Sequence, residues 1–191
     1  MRCLSCEQLS FEIICQKCQK NHLQPIFNKR ELEKDFFVYS FYEYDAIKDL
    51  LNTKYQFYGD KVFQILANNS FKKFAENFDF PHLVTALPID DHVNHDFSHT
   101  AILAKTLSTT KNIDVQYNLL HAHNKIKYAG KSLEFRKNNP RDFRFLPKIN
   151  SEVILIDDLV TTGLTILEAK KVIQKSNNEV LFALTLGDAK F

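Results

Sequence analysis

Glycine is scarce in this chain. Only Gly59, Gly130, Gly163 and Gly187 occur among 191 residues, and tryptophan is absent. Four isolated glycines cannot write G-x-x-x-x-G-K-[ST] or G-x-G-x-x-G, so a Walker-type phosphate loop and a dinucleotide-binding loop are both excluded. No apolar run approaches the roughly 20 residues of a membrane-spanning helix, and no membrane insertion is expected. The opening MRCLSCEQLSFEIIC lacks the apolar core of a secretory signal. A cytoplasmic location is therefore expected, where structural disulfides are uncommon. An excess of one charge is missing too: a net charge of +2 does not mark the whole chain as a nucleic-acid binder. What remains is 45% hydrophobic, enough for a sizeable core. The length suggests one principal domain with a small appendage.

All the cysteines stand near the start, as Cys3-x2-Cys6-x8-Cys15-x2-Cys18. Two C-x-x-C knuckles offer four thiolates, the donor set of a tetrahedral structural zinc. Two disulfides or free thiols are the plain alternative, but the reducing compartment and the paired spacing favour zinc. A segment of some twenty residues cannot bury a core alone, so the metal would drive its folding. His22 follows at a reachable spacing, but four thiolates already fill the shell. Few basic residues accompany the knuckle, so its expected role is structural. The expected organisation is a zinc knuckle over residues 1–24 and a larger α/β domain over 25–191.

The most informative stretch is VILIDDLVTTGLT, residues 153–165. Val153, Ile154, Leu155 and Ile156 suit a strand buried on both faces of a parallel sheet, and Asp157 and Asp158 follow at its carboxyl end. Thr161, Thr162, Gly163 and Thr165 come next, and then ILEAKKVI, residues 166–173, repeats apolar residues at helical spacing. In an open α/β sheet, ligands bind beyond the carboxyl ends of the strands. A helix N-terminus offers free N–H groups and a positive dipole end to phosphate. Gly163 permits close approach or a positive φ, and the carboxylates accept from sugar hydroxyls. Acids below a phosphate nest describe a ribose-5-phosphate site. An ordinary buried strand and turn is the competing reading.

The rest of the chain supplies a frame. Residues 23–35 read as a polar connector, and FFVYSFYEY, residues 36–44, as a strand or hairpin. Two helices, broken at Gly59, are expected from Asp45 to Phe78. Lys54 lies near the end of the first, where a solvated lysine is the common outcome and a ligand-facing one the alternative. HLVTALPI, residues 82–89, is a strand ending at Pro88. A loop then leads into a helix with Ala101, Ile102, Leu103 and Leu107 inward. His95 and His99, four apart, form only a weak metal signal. NIDVQYNLLHAH, residues 112–123, is a strand followed by polar residues, and residues 179–186 are the last core strand. Lys125, Lys127, Lys131, Arg136, Lys137, Arg141 and Arg144 are interleaved with Tyr128, Phe135, Phe143 and Phe145. That stretch is either a solvated face, an electropositive flap over pyrophosphate or a surface for a nucleic-acid backbone.

VILIDDLVTTGLT resembles the phosphoribosyl-pyrophosphate (PRPP) loop of type I phosphoribosyltransferases. Together with the four-cysteine knuckle and a helix carrying Tyr44, Ile47, Lys48, Leu50, Leu51 and Lys54, it resembles the ComF family of competence-associated phosphoribosyltransferase-like proteins. Where that family has R-G-F-N-Q-A after its middle strand, only Phe97 is kept here. The resemblance implies an open, mostly parallel sheet flanked by helices, and a role in DNA uptake during natural transformation. It implies PRPP bound with Mg2+, and transfer of a phosphoribosyl group with release of pyrophosphate. The residues it points to are Asp157 and Asp158 for the ribose and the catalytic step. Leu159, Val160, Thr161, Thr162, Gly163, Leu164 and Thr165 would hold the 5-phosphate, and Arg136 and Lys137 the pyrophosphate. The alternative is a non-catalytic, nucleotide-gated binder of single-stranded DNA, for which aromatic residues among cations are suited.

Overall fold

Near-continuous apolar runs with no polar alternation need cover on both faces, and the chain supplies it. The computed structural model describes residues 1–93, 96–124, 126, 128 and 130–190. After the cysteine-bearing turns come α1 (Gln16–His22), β1 (Asn28–Glu33) and β2 (Phe36–Glu43). Next are α2 (Tyr44–Asn52), a 3-10 turn (Thr53–Tyr55), α3 (Gly59–Asn69) and α4 (Phe71–Asn77). The middle of the chain carries β3 (Val84–Pro88), α5 (His99–Lys105), β4 (Ile113–Val115), β5 (Leu120–Ala122), α6 (Leu133–Asn138) and β6 (Phe143–Phe145). It ends with β7 (Glu152–Val160), α7 (Leu164–Gln174) and β8 (Val180–Asp188).

Six strands form one sheet in the order β1-β2-β8-β7-β3-β4, parallel throughout except for the β1–β2 pair. This is a mixed α/β fold with a mostly parallel central sheet between helices. Along β7, alternate residues enter two cores. Ile154 and Ile156 pack with Val62, Leu66 and Leu103 of α3 and α5. Val153 and Leu155 pack with Ile166, Ala169 and Ile173 of α7. Burial on both faces is why the strand shows no polar alternation.

Four expectations are corrected. The supposed connector over 23–35 contains β1, whose inward residues are Asn28, Arg30 and Leu32. Polar residues mask its period, and as an edge strand it carries charge that deters pairing with another chain. The two expected helices are three, because the backbone breaks again at Ser70, with φ −125° and ψ −79°. The region 112–123 holds two strands, β4 in the main sheet and β5 in a separate antiparallel ribbon with β6. Finally, β7 and β8 each run further than their apolar runs, to Val160 and Asp188.

From β3 the chain passes through α5 to β4 on one side, whereas from β7 it passes through α7 to β8 on the other. The carboxyl ends of β3 and β7 therefore flank a topological switch point, the crevice where open α/β sheets bind ligands. The cysteine segment packs against the same helices that cover the sheet. Cys3, Ile14, Cys18 and Leu23 share one apolar core with residues of β2, α3 and α4. The Asn69 amide donates to Gln19 Oε1 at 3.1 Å. Among the described residues no helix is long and apolar enough to cross a membrane.

Candidate functional site

Asp157 and Asp158 stand near the carboxyl end of β7, but inside the strand. The ladder to β8 continues through Leu159 opposite Gly187 and Val160 opposite Asp188, and Ala189 N–H donates to Val160 O at 2.9 Å. Leu159 and Val160, expected in the phosphate loop, are thus strand residues, and the buried Val160 belongs to the core. The extra length of β8 decides this by giving those two residues partners. The loop shrinks to Thr161, Thr162 and Gly163, and α7 starts at Leu164.

The two acids differ sharply. Asp158 is 6% exposed and continues the row of Ile154 and Ile156 toward α3 and α5. Its Oδ2 lies 2.7 Å from Lys54 Nζ and 3.8 Å from His99 Nε2. Burial opposes its charge, but Lys54 and then His99 outweigh that and hold the carboxyl well below the usual carboxylate range. Asp157 is only partly buried, and its Oδ1 accepts the N–H of Asp158 at 2.9 Å. Burial and the neighbouring Asp158 charge push it up to about 8. Lys54 feels burial as a downward pull, but the two contributions from Asp158, its charge and its hydrogen bond, raise it to about 12. Burial pulls His99 down, opposed by Asp158. Near neutral pH the cluster therefore holds a Lys54–Asp158 ion pair, a neutral His99 and a protonated Asp157.

Lys54 is not the solvated helix lysine that its position suggested. α2 ends at Asn52, and the tighter 3-10 turn aims residue 54 inward. Gly59 secures that turn: a Cβ there would stand 2.1 Å from the Thr53 carbonyl oxygen, so only glycine lets α3 begin so close.

Two arginines grip Thr161. Arg136 Nη1 donates to Thr161 Oγ1 at 2.6 Å and Nη2 to Tyr128 O at 3.0 Å. Arg30, on β1, donates through Nη2 to Thr161 O at 2.9 Å and through Nη1 to Asp188 Oδ1 at 2.7 Å. Gly163 has φ +81°, and a Cβ on it would meet Leu32 Cδ2 at 2.7 Å. Leu164 N–H points to Thr162 Oγ1 at 3.4 Å, and Leu167 N–H is the one that reaches Gly163 O. The first N–H groups of α7, Leu164 and Thr165 among them, face outward without an intrahelical acceptor, which suits them to an anion.

Arg136, expected from the sequence to cover the pyrophosphate, bonds Thr161 of the loop, and Arg30, which the sequence reading did not single out, reaches the same residue from the β1–β2 hairpin. Lys137 is exposed on α6 and makes no bond to the loop among the described residues. Lys125 and Lys127 lie outside the described residues, as does His95, so its pairing with His99 is not described. Phe143 is buried in the core and Tyr128 is buried between Arg136 and Arg141, whose guanidinium carbons lie 5.7 and 4.5 Å from its ring centre. Neither ring offers a face to a base. Phe135 and Phe145 stay partly exposed.

At the N-terminus, the Cys3, Cys6, Cys15 and Cys18 sulfurs lie within 4.8 Å of one another, none in a disulfide. Cys3 Sγ accepts N–H bonds from Ser5 at 3.4 Å and Cys15 at 3.2 Å, which favour the thiolate a metal needs. The cluster is compatible with structural zinc, and His22 is exposed on α1.

No family model matches the chain, and no curated protein matches it.

Proposed function

We propose that this chain binds a phosphoribosyl ligand of the PRPP type at the carboxyl end of β7, in a fold of the type I phosphoribosyltransferase class. One observation carries the reading: the strand bearing Asp157 and Asp158 runs through a three-residue threonine-glycine loop into the N-terminus of α7, with Arg136 held on that loop. Thr161, Thr162, Gly163, Leu164 and Thr165 would cradle the 5-phosphate through N–H and hydroxyl donors. Asp157, the more accessible acid, would accept from the ribose hydroxyls. Asp158, committed to Lys54, would set the electrostatics beneath it.

In phosphoribosyl transfer the C1–O bond to pyrophosphate breaks, with its electron pair leaving on pyrophosphate, and a bond forms from an acceptor nucleophile to C1. Mg2+ arriving with PRPP would neutralise charge on the leaving group. Negative charge on Asp158, joined by Asp157 once it gives up its proton, would stabilise the cationic C1 as it develops. Arg136 lies at the loop and is suited to the pyrophosphate; Lys137 would need to swing in. The broader setting we propose is that implied by the likeness to the ComF family: DNA uptake, acting in the cytoplasm. A second reading, a single-stranded DNA-binding factor gated by the same ligand, draws support from exposed Lys131 over the partly exposed Phe135 ring, with exposed Lys137 and Arg144 in the same stretch of chain.

Calorimetric titration with PRPP, with and without Mg2+, tests the proposal. Binding is expected for the wild-type chain, and at pH 9, where Asp157 is ionised, Asp157→Asn should weaken it by about 1.5–3 kcal/mol, the worth of a charge-assisted hydrogen bond. No heat and no thermal shift with PRPP on folded wild-type protein would sink the reading. Pyrophosphate release with a nucleobase or amine acceptor would mark an enzyme; salt-dependent DNA binding without release would mark the second reading.

A further inference from the structure

β3 ends at Pro88, and the chain turns at Asp90, where φ is +51°. The turn sets Asp90, Asp91 and His92 against β5. Asp90 N–H donates to Leu120 O at 3.1 Å, and Ile89 N–H donates to Ile156 O at 2.9 Å, one residue before Asp157. The turn therefore sits at the switch point, beside the acid pair. His121 of β5 faces it. Asp90, His92 and His121 bring one ligand-capable atom each within 4.8 Å of one another. His92 Nε2 is 3.8 Å from Asp90 Oδ1, and the two imidazole rings stack with centres 4.3 Å apart.

A buried carboxylate stands behind this group. Asp91 is 6% exposed, and its Oδ2 accepts the Asn118 N–H at 2.8 Å. Its Oδ1 is buried without a hydrogen-bond partner among the described residues, and so is His121 Nδ1, 3.6 Å away. Two buried polar atoms facing one another just beyond bonding distance are costly to keep. A cation on the other nitrogen of His121 resolves this: it fixes the tautomer with the proton on Nδ1, which then donates to Asp91. Ligating histidines are oriented by carboxylates in this manner. Asp90 is positioned as well, its Oδ1 accepting Ala122 N–H at 3.2 Å and its Oδ2 lying 3.9 Å from Arg141 Nη1.

We propose that Asp90, His92 and His121 form a site for a divalent transition-metal ion, best suited to zinc, separate from the cysteine cluster and independent of the PRPP reading. Two imidazoles and a carboxylate suit zinc, whereas magnesium takes oxygen donors. Because the two rings stack, His92 must turn to bring its in-plane nitrogen lone pair onto an ion held by His121. Three protein donors leave a position open to solvent, where zinc holds water or an anionic oxygen.

Zinc stoichiometry tests this. The full chain, purified in reducing buffer, equilibrated with excess zinc and desalted, is analysed for metal content. Wild type is expected to keep two zinc ions per chain. A His92→Ala/His121→Ala variant should keep one, and Cys6→Ser should keep the other. Zinc calorimetry on Asp91→Asn should show at least tenfold weaker binding at unchanged stoichiometry. Should the double variant not fold, His92→Gln, at an exposed ring, reads the same loss. One zinc per folded wild-type chain, or a second zinc that persists undiminished in the histidine variants, would overturn the proposal.

Discussion

Adjacent aspartates look interchangeable on paper and are opposites in the fold. Asp158 is stabilised as an anion by Lys54, while Asp157 keeps its proton up to about 8. The unfolded chain releases that proton near the ordinary carboxylate value of about 4. Between about 4 and about 8, the folded state holds one more proton than the unfolded state. The contribution of Asp157 to stability is therefore full below the unfolded value and is lost as pH rises through the folded one. Asp157→Asn does not titrate, so its stability relative to wild type should climb across that window and level off above it. Because Asp157 is partly open to water, the gain should be about 1–2 kcal/mol. Denaturant unfolding of both proteins at pH 5 and pH 9 measures it, and an identical gap at the two pH values would refute the raised carboxyl. Both acids were legible in the sequence. Their division of labour was not, because it depends on Lys54, a hundred residues away in the chain.

At the scale of elements, the junction of β7 and α7 is set by what surrounds it. The apolar run alone located the strand and the helix, yet the boundary moved to Thr161 because β8 continues to pair. Gly163 was legible as a residue needing freedom, and the structure supplies both reasons, a φ of +81° and the Leu32 side chain. The methyls of Leu32 can shift, but the backbone conformation cannot. Gly163→Ala should therefore cost about 1–2 kcal/mol, the penalty of a left-handed conformation for a residue with a Cβ. Adding Leu32→Ala should restore little of it. Denaturant midpoints of the single and double variants decide this; full rescue by Leu32→Ala would place the penalty in the contact. Arg30 belongs to this scale too. Nothing in NKRELE announces a loop ligand, and only the antiparallel pairing of β1 with β2 carries its guanidinium to Thr161.

Across the whole molecule, the cysteine segment and the α/β sheet share one core, so a zinc ion held by the four cysteines should matter far from its ligands. Cys6 is exposed and lies outside the buried core cluster, which makes Cys6→Ser a suitable probe of the cluster. Loss of zinc from this cluster should lower the melting temperature in one transition that includes the sheet. A loss of about 3 kcal/mol corresponds to roughly 6–12 °C for a chain of this size. Calorimetric scans of wild type and Cys6→Ser measure it; an unchanged melting temperature in a zinc-free variant would show that the knuckle is energetically separate.

The sequence by itself determined the local features. The paired cysteine spacing, the buried strand, the acid pair, the loop glycine and the helix after it are all encoded within windows of a dozen or so residues, where periodicity and residue chemistry act directly. Only the tertiary structure decided what meets what. It turned Lys54 and His99 onto Asp158, brought Arg30 and Arg136 to Thr161, buried Phe143 and Tyr128 away from solvent, and set His121 against Asp90 and His92. Those contacts join segments far apart in the chain through sheet order and helix packing, and no local pattern records them because each partner, taken alone, is an ordinary polar residue or an ordinary ring.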